Sequence, residues 1–171
     1  MKYLLSICLL LLLLVGCHQD KPAITKGKYF FDFDEVVYYK TEATTELLYK
    51  RPHTPSENLF IQIVNGNTPQ KLSDTNFLSY IDTVGYIKKV IPARKHAAIR
   101  EIFSEKNCED NSITSCTRFF RDIYIFKKKG KVTGVAKLCY ECGDEFFISA
   151  KGNTSCFGAT GEYEKLTEIV K

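Results

Sequence analysis

The stretch that decides the fold is Arg118–Lys127, RFFRDIYIFK, followed by Lys131–Tyr140, KVTGVAKLCY. Aromatic and β-branched residues dominate the first segment, and a short Lys/Gly turn separates it from the second, so the pair reads as a β-hairpin. In the second segment Val132, Ala136 and Leu138 share one face while Lys131, Thr133 and Lys137 share the other. That alternation predicts a half-buried antiparallel strand. Glu145–Ala150, EFFISA, adds a third strand. Beyond a glycine-punctuated loop, Gly161–Val170 predicts a closing helix with Tyr163, Leu166 and Val170 inward.

Upstream, Tyr29–Lys40 (YFFDFDEVVYYK) predicts one strand, or two that break near Asp34-Glu35. Ala43–Lys50 suggests a short helix stopped by Pro52. Leu59–Val64, an apolar run before Asn65-Gly66, reads as a strand. Ser73 or Asp74 caps a helix carrying Phe77, Leu78 and Ile81, with Gly85 as its terminator. Pro92 opens a further helix with Ile99, Ile102 and Phe103 at helical spacing. The expected architecture is a single small α+β domain spanning residues 29–171, with an antiparallel β meander at about residues 117–150 and helices packed on one face. Phe 12 and Tyr 10 against one Met and no Trp make phenyl and phenol rings the main core volume.

The first residues differ in character. Lys2 precedes an apolar stretch from Tyr3 to Val15, which is too short to span roughly 30 Å of hydrocarbon and has the form of an export leader. It ends Leu14-Val15-Gly16-Cys17, which resembles the lipobox of bacterial lipoproteins. That resemblance implies a leader at 1–16, cleavage before Cys17 and a lipid on that sulfur, with membrane attachment as the consequence. Two or three acyl chains hold a protein stably at about 0.8 kcal/mol per buried methylene. Residues 17–28 then read as the lipidated cysteine and a polar tether. His18, rather than an aspartate, after the lipid site favours an outer membrane in a cell that has one. The expected location is the cell envelope outside the cytoplasm, and a formal net charge of +4 is too small to imply a nucleic-acid partner.

Of seven cysteines, Cys8 leaves with the leader and Cys17 takes lipid. Cys108, Cys116, Cys139, Cys142 and Cys156 remain as candidates for disulfides or a metal, and an odd number leaves one thiol over. In an exported chain disulfides are the default. A Cys108–Cys116 bridge would close the short loop between them. Cys139-Tyr140-Glu141-Cys142 offers two further readings, a thiol-disulfide pair and half of a structural zinc knuckle, neither favoured. The redox chemistry needs a helix N-terminus to lower a thiol pKa, and this pair lies at a turn between strands.

Other constellations have ordinary explanations. Asp32, Asp34 and Glu35 fit a solvated strand. Lys127 to Lys131 fit a charged hairpin tip. Arg118, Arg121 and Asp122 fit cross-strand pairs. Gly152, Gly158 and Gly161 precede a helix without a phosphate-loop ending, and His18, His53 and His96 lack metal-ligand spacing. No catalytic residue and no cofactor beyond the covalent lipid is expected. The expectation is a membrane-anchored, non-enzymatic binding or interaction domain whose partner is a protein or envelope component. An immunity-type or inhibitor-type lipoprotein would be one version; the alternative is a thiol-disulfide or metal-binding protein using Cys139 and Cys142.

Overall fold

The computed structural model describes residues 27–49, 53–66, 68–108 and 116–171, so the leader, Cys17 and most of the tether lie outside the described residues. The strands are β1 (Glu35–Lys40), β2 (Ile87–Val90), β3 (Asp122–Lys128), β4 (Lys131–Cys139) and β5 (Asp144–Ile148). They form one five-stranded sheet in the order β2-β1-β3-β4-β5, antiparallel at every pairing. The helices are α1 (Pro55–Val64), α2 (Thr75–Tyr80), α3 (His96–Ile102) and α4 (Glu162–Val170), with a single helical turn at Glu46–Tyr49. The chain is therefore a small α+β domain built around an antiparallel meander, as its sequence pattern implies.

The helices cover both faces of the sheet, where one was expected. Val36, Tyr38, Tyr124, Phe126, Ala136 and Leu138 pack with Ile99 and Ile102 of α3 and Leu166 of α4. The alternate residues Val37, Tyr39, Ile123, Ile125 and Val135 pack with Phe60, Ile63 and Val64 of α1 and Phe77 of α2. The reason lies in β1 and β3. Val36-Val37-Tyr38-Tyr39 and Ile123-Tyr124-Ile125-Phe126 are continuous apolar runs, the pattern of strands buried on both sides.

Lys137 belongs to the second face and is fully buried, not on a solvated face with Lys131. Its ammonium donates to the carbonyls of Ile63 and of Thr68, the latter at 2.7 Å. It lies 5.0 Å from the Phe120 ring centroid. Ile63 is in the last turn of α1, where carbonyls lack helical partners and the helix dipole is negative. Phe120 N–H takes the neighbouring Val64 carbonyl at 2.8 Å. Tertiary groups thus close the end of α1.

α1 occupies the segment expected as a strand at Leu59–Val64. Its start is fixed by a capping box: Glu57 N–H donates to Thr54 Oγ1 at 3.2 Å and Thr54 N–H to Glu57 Oε2 at 2.8 Å, with Pro55 in the first turn. That signal precedes the apolar run, which by itself carries no period. β2 was not singled out in the sequence. Its four residues, Ile-Lys-Lys-Val, are all exposed, an edge strand blunted by lysine. The predicted break in the Tyr29–Lys40 segment is present: Tyr29 bridges to Ser104 and β1 starts at Glu35. A Cβ at Gly134 would lie 2.1 Å from the Phe31 ring, which stacks at 4.1 Å on Phe126. Glycine in mid-strand is what admits that ring.

Lys137→Ala takes a donor from the Thr68 carbonyl, leaves the Ile63 carbonyl the bond from Gly66 N–H at 3.4 Å and opens a cavity at the sheet, and should lower the unfolding free energy by roughly 2–5 kcal/mol. Lys131→Ala, at an exposed position of the same strand, should change it by no more than about 0.5 kcal/mol. Denaturant titration of the two variants checks both values; equal effects would reject the role given to Lys137.

Candidate functional site

At one end of the sheet, cross-strand register sets Lys40 beside Asp122, and Tyr38 beside Tyr124. Asp122 begins β3 after two phenylalanines and an arginine, and the apolar residues that follow draw it inside, to 5% exposure. The Tyr38 hydroxyl donates to Asp122 Oδ1. Tyr124 and Tyr140 share a hydrogen bond between their hydroxyls at 3.1 Å, and the Tyr38 and Tyr124 rings are 4.9 Å apart. Thr167 and Val170 of α4 complete a cleft of about 480 Å³ above these groups.

Two ion pairs rim the cleft. Lys40 Nζ lies 2.6 Å from Glu42, and Arg121 pairs with Glu141. Arg121 Nε also donates to the Ala43 carbonyl at 2.7 Å, fixing the segment that follows β1. Burial pushes the Asp122 carboxyl up to about 6. The Tyr38 hydrogen bond and the Lys40 charge act against that rise, and Glu141 and Glu42 act with it. Tyr38 is driven upward by burial first and then by Asp122; burial raises Tyr140 as well. The phenols therefore stay protonated donors. A carboxylate, phenols and a half-open volume amount to the chemistry of recognition by hydrogen bonding.

A second raised acid lies on the same cross-strand row, since Asp122 pairs Leu138 and Leu138 pairs Glu145. Burial lifts Glu145 to about 7, opposed by the hydrogen bond from Tyr163, whose hydroxyl donates to Glu145 Oε2 at 2.8 Å.

The cysteines pair as Cys108–Cys156 and Cys116–Cys142. The short-loop bridge between Cys108 and Cys116 is not formed. The segment before Cys108 runs beside the loop that carries Cys156, where Glu105 Oε1 accepts from Asn153 N–H at 2.8 Å. Cys116 instead faces the β4–β5 turn. Cys139 keeps its thiol, buried beneath the Phe119 N–H at 3.4 Å. Cys139 and Cys142 are thus not bridged to each other, since Cys142 pairs with Cys116. Among the described residues no group of three or more His, Cys, Asp or Glu could hold a metal ion. Cys17 lies outside the described residues.

The remaining charged constellations satisfy one another. Lys128 reaches Asp32 at 3.0 Å and Lys127 reaches Glu35 at 2.8 Å, while the Asp34 carboxylate accepts from Lys129 N–H. Arg118 pairs with Asp144 at 2.5 Å. Gly161 takes a left-handed φ of 80° before α4, and the anion at that helix start is the chain's own Glu162, which accepts from Thr160 N–H at 2.9 Å. His53 and His96 each bond a backbone carbonyl, of Leu47 and Ile91, in separate parts of the fold.

Arg121 and Asp122 were legible as candidates. Tyr38, Tyr124 and Tyr140 were not, although an aspartate inside an apolar strand implies a buried donor nearby. No protein-family model, curated protein or solved structure matches the chain.

Two outcomes follow. The ordinary values for Asp122 and Glu145 are 3.8 and 4.5, against about 6 and about 7 in the fold. Between pH 4 and 7 the native state therefore holds protons that the unfolded chain has released, and stability falls as pH rises through that window. Asp122→Asn should flatten the part below about pH 6 in denaturant titrations repeated across pH; an unchanged slope would sink the assignment. Thiol labelling without reductant should leave Cys139 unmodified in the native domain and modify it alone, among Cys108, Cys116, Cys139, Cys142 and Cys156, after unfolding. Labelling of any of the other four would contradict the pairing.

Proposed function

We propose that this chain is a lipoprotein held at a membrane of the cell envelope through Cys17, and that it works there as a non-enzymatic binding domain with the Asp122 cleft as its ligand site. The observation that carries the anchor is the apolar run ending Leu14-Val15-Gly16-Cys17 directly before a polar tether. Two disulfides in the downstream domain support an oxidising compartment outside the cytoplasm. Among the described residues no helix is long and apolar enough to cross a membrane, so attachment in this reading rests on lipid.

The tether meets the fold at one clamp. Lys28 N–H donates to Glu105 Oε2 at 3.0 Å, and Glu105 N–H returns a bond to the Lys28 carbonyl at 2.9 Å. From Cys17 to that clamp, about 11 residues at 3.3–3.6 Å each would span at most roughly 35–40 Å if fully extended. A cleft of about 480 Å³ falls in the size range of small-molecule sites. Its partner in the envelope is a molecule, or an exposed group of a larger one, that hydrogen-bonds to a carboxylate and phenols.

Cys17→Ser removes the sulfur that would carry lipid. The variant should leave the membrane fraction for the soluble or unprocessed pool, and intact mass of the wild type from its host should show a chain starting at Cys17 with acyl mass added. Equal membrane partition of both forms, with no acyl adduct on either, would overturn the anchor.

A further inference from the structure

The cleft assigned above as the ligand site has a specific chemical bias. Two of its three rim cations are paired with carboxylates: Lys40 faces Glu42 and Arg121 faces Glu141, while Lys171 also lines the cleft. At Lys40 or Arg121 an anionic ligand would have to compete with an internal carboxylate. Asp122 is different. Its Oδ1 accepts the Tyr38 hydroxyl, while Oδ2 takes no hydrogen bond among the described residues. Because no buried side-chain oxygen in the described fold is left without a partner, Oδ2 is not sealed but opens to the cleft.

The groups around that open oxygen suit a cation. Tyr38 and Tyr140 line the same cleft, and a phenol oxygen can accept from a cationic donor. A hydrogen bond from an ammonium to a carboxylate is about twice as strong as a neutral one, so an amine gains more here than an alcohol of the same shape. Lys40 is the cross-strand neighbour of Asp122 but pairs with Glu42, and among the described residues no ion pair to the Asp122 carboxylate is formed.

We propose that the cleft binds a small organic ligand through a primary ammonium group, which docks on Asp122 Oδ2 beside the phenols of Tyr38 and Tyr140. The inference rests on the cleft being the binding site, and it does not depend on the lipid anchor. Bringing an ammonium into direct contact with Asp122 adds a positive partner and favours the ionised carboxylate.

The test titrates detergent-solubilised wild-type protein with n-butylammonium chloride, n-butanol and sodium butyrate as matched probes, by calorimetry and by the carboxyl ¹³C signal of Asp122. Butylammonium should bind roughly tenfold tighter than butanol or more, with butyrate weakest, and the Asp122 titration midpoint should move to lower pH on saturation. Asp122→Asn should abolish the preference for the ammonium, with its thermal melt recorded to show that it folds. Should that variant fail to fold, the wild-type probe series and the midpoint decide. Equal binding of amine and alcohol, an unmoved midpoint, or a folded Asp122→Asn that keeps the preference would each overturn the proposal. Membrane partition of the same protein is read separately, so loss of the anchor and loss of the amine site remain distinguishable.

Discussion

The sheet is apolar on both sides, and most of the molecule follows from that. Ile123, Tyr124, Ile125 and Phe126 are each no more than 2% exposed, so β3 cannot border water on either face. Each face needs its own cover: α3 and α4 with the Phe30, Phe31 and Phe103 rings on one side, α1 and α2 with Tyr86 and Phe119 on the other. Burial of this kind is worth about 25 cal/mol per Å² of apolar area. It explains why aromatic residues crowd a chain that has no tryptophan: rings fill two thin layers well, and many stand edge to face at 5–6 Å.

Two of the charged side chains buried in that interior end in opposite roles. Lys137 spends both its position and its hydrogen bonds on the carbonyls that end α1 and precede Pro69. Burial still pulls its ammonium down to about 7, so it is a structural donor kept at the edge of ionisation. Asp122 has only one of its oxygens engaged, and a cleft lies over the other. A satisfied buried group stiffens the fold; a half-satisfied one next to open volume is where a ligand can contribute.

The covalent links act at the margins of the sheet. Cys116–Cys142 ties the run into β3 to the β4–β5 turn, and Cys108–Cys156 ties the end of the α3 region to the loop before α4. Both constrain the loops rather than the core, while the Lys28–Glu105 clamp holds the start of the described domain. The cleft lies at the end of the sheet formed by Lys40, Asp122 and Tyr140, beside the Cys116–Cys142 link, and the clamp residues do not line it. In the proposed function this separates attachment from recognition.

The sequence by itself determined what depends on neighbours along the chain. Aromatic and β-branched residues marked β3, period-2 alternation marked β4, the spacing of Leu166 and Val170 marked α4, and the resemblance of Leu14-Val15-Gly16-Cys17 to a lipobox gave the expected address. It missed α1 because the decisive box at Thr54–Glu57 lies before the apolar run, and β2 because an exposed four-residue edge has no burial pattern. Only the tertiary structure decided which face Lys137 occupies, which sulfurs meet, and that Tyr38 and Tyr140 gather around Asp122. Those facts concern residues tens of positions apart. Their proximity is fixed by strand order and by the second layer of helices, which local periodicity does not encode.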